Sequence, residues 1–335
     1  MSLRSGVAVS WSMKQADTRS AGSASGKSLH LERLFMILTV VIDFVKVVIL
    51  SGPILGRKLY QLIVPKDPRN VKGQLALITG GGNGLGKQMA TELANRGCNL
   101  VIVDIDLAAA ESTCEDLRKH NVSAHPFRVD VSSFADVQNL ADTIYRDVGP
   151  IDILINNAGL VQFKPLQETS PSEIDRIIDV NVKSNVWMTK VFLEKMIENK
   201  RGHIVAISSM SGMYAFPWAV IYSTSKYAVN GFMSALTEQL RLQGHSKYIR
   251  TTCVCPYYIA TRKDIVDFLK KPRFEILTTE RTAQVIVEGI LQNKDFIAIP
   301  PFFEIGVKIM QLFPLRVQQL VRDYIIREYD LNSSN

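Results

Sequence analysis

Apolar residues fall into three regimes along this chain. From Met1 to Arg33 they are sparse and aperiodic among Ser, Gly, Ala and Lys, which predicts a disordered tail over 1–33. The stretch "LFMILTVVIDFVKVVIL", Leu34 to Leu50, is almost wholly apolar. As a helix it would rise about 26 Å, short of the roughly 30 Å hydrocarbon core of a bilayer. Asp43 and Lys46 lie inside it, three apart and able to pair, and a charge near a bilayer centre costs about 3 kcal/mol. "SGP" at Ser51 to Pro53 interrupts the run, and a second apolar stretch, "ILGRKLYQLIV", follows. The expectation for 34–64 is a membrane anchor, with a hairpin or in-plane helix fitting better than a clean span. From Lys72 the pattern changes again. The runs "QLALI", "NLVIVD", "AHPFRVD", "IDILIN", "HIVAIS", "IRTTCVC" and "FIAI" alternate with segments of helical length. Continuous apolar strands separated by helices predict an α/β domain over 72–301, a doubly wound, Rossmann-like parallel sheet of seven strands. In the tail, 302–329, Val317, Leu320, Val321, Tyr324 and Ile325 keep helical spacing. That amphipathic extension is expected to pack on the domain or a second copy, to contact a membrane, or to wall an apolar pocket.

Composition adds little to the fold and narrows the partners. The chain has 335 residues, 47% apolar and 21% charged, with a net charge of +7. Much of the excess flanks the apolar run: Arg4, Lys14, Arg19, Lys27 and Arg33 precede it, and Arg57, Lys58, Lys66, Arg69 and Lys72 follow it. Basic charge on both sides leaves the orientation open. No basic tract of five or six residues occurs, so no nucleic-acid partner is expected. The four cysteines, Cys98, Cys114, Cys253 and Cys255, lack metal-ligand spacing, so no metal is expected. Scattered thiols suit a reducing compartment, and the domain is expected to face the cytosol. The Asn121 and Asn332 sequons matter only where those segments face a lumen.

Two short stretches carry chemistry. "TGGGNGLG", Thr79 to Gly86, sits between the first strand and the helix "KQMATELANRG". Glycines there permit a tight turn and close approach of a pyrophosphate, which the helix N-terminus then favours through free N–H groups and its dipole. The second strand ends at Asp104, where a carboxylate accepts both adenosine-ribose hydroxyls and repels a 2′-phosphate. Neither Asn83 nor Ile105 offers a cation to hold such a phosphate, so the expected cofactor is NAD, with NADP second. In "IYSTSK", Tyr222 and Lys226 lie four apart, on one helical face. A phenol ordinarily titrates near pH 10, and an ammonium beside it favours the phenolate.

Together with "NNAG" (Asn156 to Gly159), Asp130-Val131, "VNV" with Asn181 and "ISS" with Ser209, these motifs resemble the short-chain dehydrogenase/reductase family over roughly 72–300. The apolar N-terminal segment, "VPKDPRNVKGQLALITGG" and "PPFFEIGVKIMQLFPL" resemble its membrane-associated branch, which contains epidermal retinol dehydrogenases and 17-beta-hydroxysteroid dehydrogenases. The resemblance implies a catalytic set of Asn181, Ser209, Tyr222 and Lys226. Tyr222 would be the general acid/base. Lys226 would hold the nicotinamide ribose, Ser209 the substrate oxygen and Asn181 a water. Ser208 is the rival serine, and the spacing to Tyr222 favours Ser209. The implied cofactor contacts are Gly80, Asn83, Gly84, Leu85, Gly86, Asp104, Asp130, Val131, Asn157, Ala158, Gly159, Tyr222, Lys226, Pro256, Ile259 and Thr261. One departure stands out: the family commonly has Pro-Gly after the sixth strand, and here Pro256 precedes Tyr257.

Val161, Phe163, Met213, Phe216 and Trp218 are candidates for the pocket, with Ile265, Phe268 and Leu269 after Thr261; Phe163, Phe216 and Trp218 are taken with Ser209 as the substrate contacts. An apolar wall beside a membrane anchor suggests a lipophilic substrate. The resemblance implies retinol/retinal first, then a 17-beta-hydroxysteroid or a long-chain lipid alcohol. A lipid-droplet scaffold without turnover is the non-enzyme alternative. The same resemblance implies an endoplasmic reticulum or lipid-droplet membrane location and a homodimer formed through the helices on either side of the fifth strand. His203 and His245 have no implied catalytic role.

Overall fold

The computed structural model describes residues 25–64, 66–260 and 276–326. Thr261, Ile265, Phe268, Leu269 and Asn332 lie outside them. The chain divides into two units, Met1–Lys66 and Asp67–Asn335.

Among the described residues the first unit contains one helix, α1 (Ser25–Ile63), with Pro53 inside it. Two expectations are corrected here. The helix begins at Ser25, within the segment read as a disordered tail, and it does not reverse at Ser51–Pro53. Pro53 removes one ladder donor, yet the ladder continues, and Ser51 Oγ donates to Val47 O at 2.7 Å just before it. Asp43 and Lys46 pair at 3.1 Å, as their spacing suggests. The stretch His30–Arg57 is long and apolar enough to cross a membrane, and its apolar side chains are exposed.

The second unit is a seven-stranded parallel sheet. Its strands are β1 (Leu75–Thr79), β2 (Asn99–Asp104), β3 (Ala124–Arg128), β4 (Ile153–Asn156), β5 (Gly202–Ile207), β6 (Ile249–Pro256) and β7 (Phe296–Ile299). All seven runs became strands; the central ones are buried at nearly every position because the sheet is covered on both faces, while β3 at the edge is only partly buried. Among the described residues the α-helices up to β7 are α2 (Gly84–Ala94), α3 (Leu107–Arg118), α4 (Phe134–Asp147), α5 (Pro171–Ile178), α6 (Ser184–Glu198), α7 (Val220–Leu242) and α8 (Thr279–Leu291). On one face Ala76, Ile78, Leu100 and Ile102 meet Met89 and Leu93 of α2, Leu117 of α3 and Ile286 of α8. On the other, Leu77, Val101, Leu154 and Ile204 meet Ile144 of α4, Phe192 of α6 and Met233 of α7. Successive strand residues thus alternate between two cores. Cys253 and Cys255 sit in the second core, and all four thiols are free and buried.

The strand order is β3-β2-β1-β4-β5-β6-β7. The chain reverses its winding between β1 and β4, which leaves a crevice beyond the carboxyl ends of those strands. Two further helices, α9 (Phe302–Met310) and α10 (Leu315–Ile326), follow β7.

Candidate active site

The motif residues gather along the carboxyl edge of the sheet. Gly80 follows β1, Asp104 ends β2, Asp130 and Val131 follow β3, Asn157 to Gly159 follow β4, Ser209 follows β5 and Pro256 ends β6. Two glycines of the first loop are forced. Gly80 has φ +61, a left-handed conformation that side chains disfavour. A Cβ on Gly86 would collide with the Gly80 carbonyl oxygen and lie 2.7 Å from Asn157 Nδ2. Asn157 stitches this loop to β4, donating to Thr79 O at 2.9 Å and Gly80 O at 3.0 Å. Asp104 closes its other side by accepting the Gly82 N–H at 2.9 Å.

These features fit a dinucleotide. Helices α3, α4, α5 and α8 are capped by the side chains of Asp106, Ser133, Ser170 and Thr278. Asn83 makes no cap bond at α2, so that N-terminus presents its N–H groups and dipole where a pyrophosphate would sit. Gly84, like Gly80, takes a left-handed φ, +54, so the loop reaches the helix by a path that side chains disfavour. Asp130 is exposed and Val131 buried, beside the same edge.

The catalytic candidates come together from three elements. Tyr222 lies in the first turn of α7 and Lys226 one turn later, both buried. Lys226 Nζ is 5.7 Å from the Tyr222 ring centroid and donates to Ile207 O at 2.9 Å. Ser209 adjoins the phenol, and its Oγ accepts the Ser211 N–H at 3.1 Å. Ser208 Oγ is spent elsewhere, donating to Lys226 O at 3.1 Å within the core. Asn181 sits in a π-helical turn, Asp179–Lys183, between α5 and α6. That extra residue per turn faces Asn181 inward, where Oδ1 accepts from Leu160 N at 2.7 Å. Its Nδ2 donates to Leu160 O at 2.9 Å and Ser225 Oγ at 3.0 Å.

Burial reverses the simple electrostatic expectation for the phenol. It pushes Tyr222 up to about 12, with the Ser209 hydrogen bond opposing the shift. It also pushes Lys226 down to about 8. In the cofactor-free protein the tyrosine is therefore the protonated partner, and the expected lowering of the phenol by Lys226 is not seen. Desolvation dominates the phenol, and the Lys226 ammonium gives its hydrogen bond to the Ile207 carbonyl.

A cavity of about 390 Å³ opens beside Ser209 and Tyr222. Val161, Phe163, Phe216 and Ile259 line it, as do Pro256 and Gly159. Phe163 and Phe216 meet edge to face at 5.9 Å, and Tyr258 packs against both. Trp218 is not a lining residue. Its carbonyl accepts from Lys164 N at 2.7 Å, and the adjoining Lys164–Ala219 bridge ties this stretch to the neighbouring loop instead. Met213 likewise packs against the core.

Several walls were not among the named candidates. Tyr257, which replaces the usual glycine, stacks on Phe303 of α9 at 5.1 Å and so buttresses the cavity. Phe303, Val307 and Met310 of α9 and Val321 of α10 complete one side, and Tyr214 joins them. Of the readings offered for the tail, the pocket wall is the one this packing supports; nothing in the sequence singled out Tyr214. His203 lies at the amino end of β5, away from this edge. It is buried between Arg69 Nη2, 3.3 Å from its Nδ1, and Thr252 Oγ1, 2.7 Å from its Nε2.

Comparison with known proteins agrees with this geometry. The short chain dehydrogenase family profile matches residues 74–268. Human 17-beta-hydroxysteroid dehydrogenase 13 is 31% identical over 297 residues, covering 88% of this chain and 93% of that protein. Estradiol 17-beta-dehydrogenase 11 of Mus musculus is 34% identical, covering 81% and 90%. Human epidermal retinol dehydrogenase 2 is also 34% identical, covering 81% and 90%. Among solved structures, a short-chain dehydrogenase/reductase from Burkholderia phymatum in complex with NAD superposes with TM-score 0.66 at 26% identity, covering 72% and 94%. A metagenomic short-chain oxidoreductase in complex with NADP gives 0.58 at 27%, covering 68% and 96%.

Proposed function

Because the chain belongs to the short-chain dehydrogenase/reductase family and is an NAD(P)-dependent oxidoreductase of alcohol and ketone groups, we propose that it is a membrane-associated, NAD-dependent dehydrogenase of a lipophilic alcohol. The observation that carries this reading is the apolar, aromatic cavity that opens directly onto Ser209 and Tyr222.

In this reading Ser209 Oγ, fixed by the Ser211 N–H, donates to the substrate oxygen and stabilises its developing charge. The Tyr222 hydroxyl exchanges a proton with that oxygen. The phenol rests protonated, the form that donates to a carbonyl, so the alcohol direction requires the Lys226 charge nearby to stabilise the phenolate. Lys226 would hold the nicotinamide ribose. Asn181, which grips both backbone groups of Leu160, would fix the loop beside the lysine and anchor a water to it. The bound nicotinamide supplies the hydride acceptor. Asp104 at the end of β2 supports NAD over NADP, because its charge repels a 2′-phosphate.

Two substrate classes have specific support. Retinol/retinal and 17-beta-hydroxysteroids are named by the relatives, and both suit a lipophilic wall. A long-chain lipid alcohol would fit the same cavity. Membrane association draws on α1, and a location on endoplasmic reticulum or lipid-droplet membranes with the domain in the cytosol belongs to the same reading. So does pairing of two copies through α6 and α7. The test is turnover by membranes containing the protein, offered all-trans-retinol, a 17-beta-hydroxysteroid or a long-chain alcohol with either cofactor. NAD-dependent oxidation of one of them supports the reading. No turnover from protein that binds NADH would shift it to the scaffold alternative.

A further inference from the structure

Helix α9 divides into three arcs. Phe303, Gly306, Val307 and Met310 face the cavity. Glu304 and Lys308 form a polar arc and pair with each other. The third arc is apolar and exposed: Ile305 at 63% and Ile309 at 51%, continued by Leu312 at 83%. Ile305 and Ile309, at i and i+4, share one face of the helix, and Leu312 in the turn just past its end carries the exposed apolar surface on. Phe313 and Leu315 extend the exposed apolar surface into α10. On the side away from that polar arc, Phe302, exposed and also lining the cavity, joins the outer stripe to the cavity-facing residues.

We propose that this stripe lies in the interfacial layer of a lipid bilayer, so that the cavity takes its substrate from the membrane and not from water. Three observations select a bilayer as the occupant. The same chain carries α1, long and apolar enough to span, which keeps a bilayer at high local concentration. The stripe is followed by the exposed Arg316 in the first turn of α10, a cation suited to lipid phosphates at the rim of a shallowly inserted helix. The exposed arc adjoins the cavity wall on the same helix, which gives a lipophilic molecule a path without exposure to water. The proposal rests on the membrane reading above.

The test uses the full chain in phosphatidylcholine vesicles containing nitroxide-labelled acyl chains. Because the four native thiols are buried, an environment-sensitive fluorophore can be placed selectively on Leu312→Cys, Ile309→Cys or, as a polar-arc control, Gln311→Cys. Strong lipid quenching at positions 312 and 309, and little at 311, is expected. Vesicle flotation is scored in parallel. Protein that floats without quenching at 312 would overturn the proposal and leave the α1 anchor standing, and energy transfer between labelled copies would then assign the stripe to a second copy. Protein that does not float overturns both readings. Independently, an Ile309→Glu/Leu312→Glu variant should raise the KM for a bilayer-dissolved substrate about tenfold or more, with little change for a short water-soluble alcohol. An equal effect on both substrates would contradict entry from the membrane.

Discussion

Neighbouring serines make opposite predictions. Ser209 Oγ sits beside the Tyr222 phenol and has one local partner, the Ser211 N–H at 3.1 Å. Ser208 Oγ is buried and donates to the Lys226 carbonyl at 3.1 Å. Ser209→Ala removes a donor to the reacting oxygen together with one turn-capping bond. The loss of a preorganised donor costs roughly 10²- to 10³-fold in kcat, and the lost cap about 1 kcal/mol of stability. Ser208→Ala removes a structural bond worth about 1 kcal/mol, which for a domain of this size lowers Tm by about 2–4 °C. Its kcat should stay within about fivefold of wild type, because the Lys226 carbonyl keeps its place in the α7 ladder. Both variants can be assayed by NADH formation from the preferred alcohol and by thermal melting with and without NADH. The reasoning fails if Ser208→Ala abolishes turnover while Ser209→Ala leaves it intact. It also fails if both lose activity equally with unchanged stability.

Three further outcomes follow from other parts of the structure. Gly86→Ala should abolish NADH binding by fluorescence titration, since the new methyl collides with the Gly80 carbonyl and Asn157; NADH affinity within a few-fold of wild type would contradict the fit of a dinucleotide to this loop. Asp104→Asn keeps an acceptor for the Gly82 N–H but removes the charge, so discrimination against NADP should fall by roughly tenfold or more in kcat/KM. An unchanged cofactor ratio would move specificity elsewhere. His203 is held neutral, its pKa pushed down to about 3 by burial with Arg69 adding to the shift. The unfolded chain therefore binds a proton between pH 6.5 and about 3 that the folded chain does not. Stability falls as pH drops through that window, by up to about 1.4 kcal/mol per pH unit from this group. Melting of wild type against His203→Asn between pH 7 and 5 should show a shallower slope in the variant.

The fold was legible because the central strands of a doubly covered sheet are apolar on both faces, so their runs stand out from the helices; edge strand β3, AHPFR, was legible mainly from its place in the alternation. The glycine loop, Ser209, Tyr222 and Lys226 were legible because their chemistry needs fixed residue types at fixed places on strand ends and one helical turn. The π-helical turn at Asn181 left no trace in hydrophobic periodicity, since it changes the backbone ladder and not the pattern. The continuity of α1 through Pro53 was hidden for a related reason: the sequence shows the missing donor at Pro53 but not how the ladder around it closes. The walls from Phe303 and Val321 were legible only as one of several readings of the tail. Their apolar spacing is the same whether a helix covers a core, a membrane or a cavity, and only the packing of α9 across the end of β6 decides.

The most direct test of the central claim follows the hydride itself. A lipophilic alcohol carrying deuterium on its carbinol carbon would be incubated with the full chain and NAD, and the nicotinamide product weighed by mass spectrometry. Direct deuterium transfer to the nicotinamide is expected for wild type, with the rate reduced roughly 10²- to 10⁴-fold in Tyr222→Phe, whose ring fills the same place without a transferable proton. Deuterium-free product, or equal transfer by wild type and Tyr222→Phe, would contradict the assignment of Tyr222 as the acid/base of a hydride-transferring site.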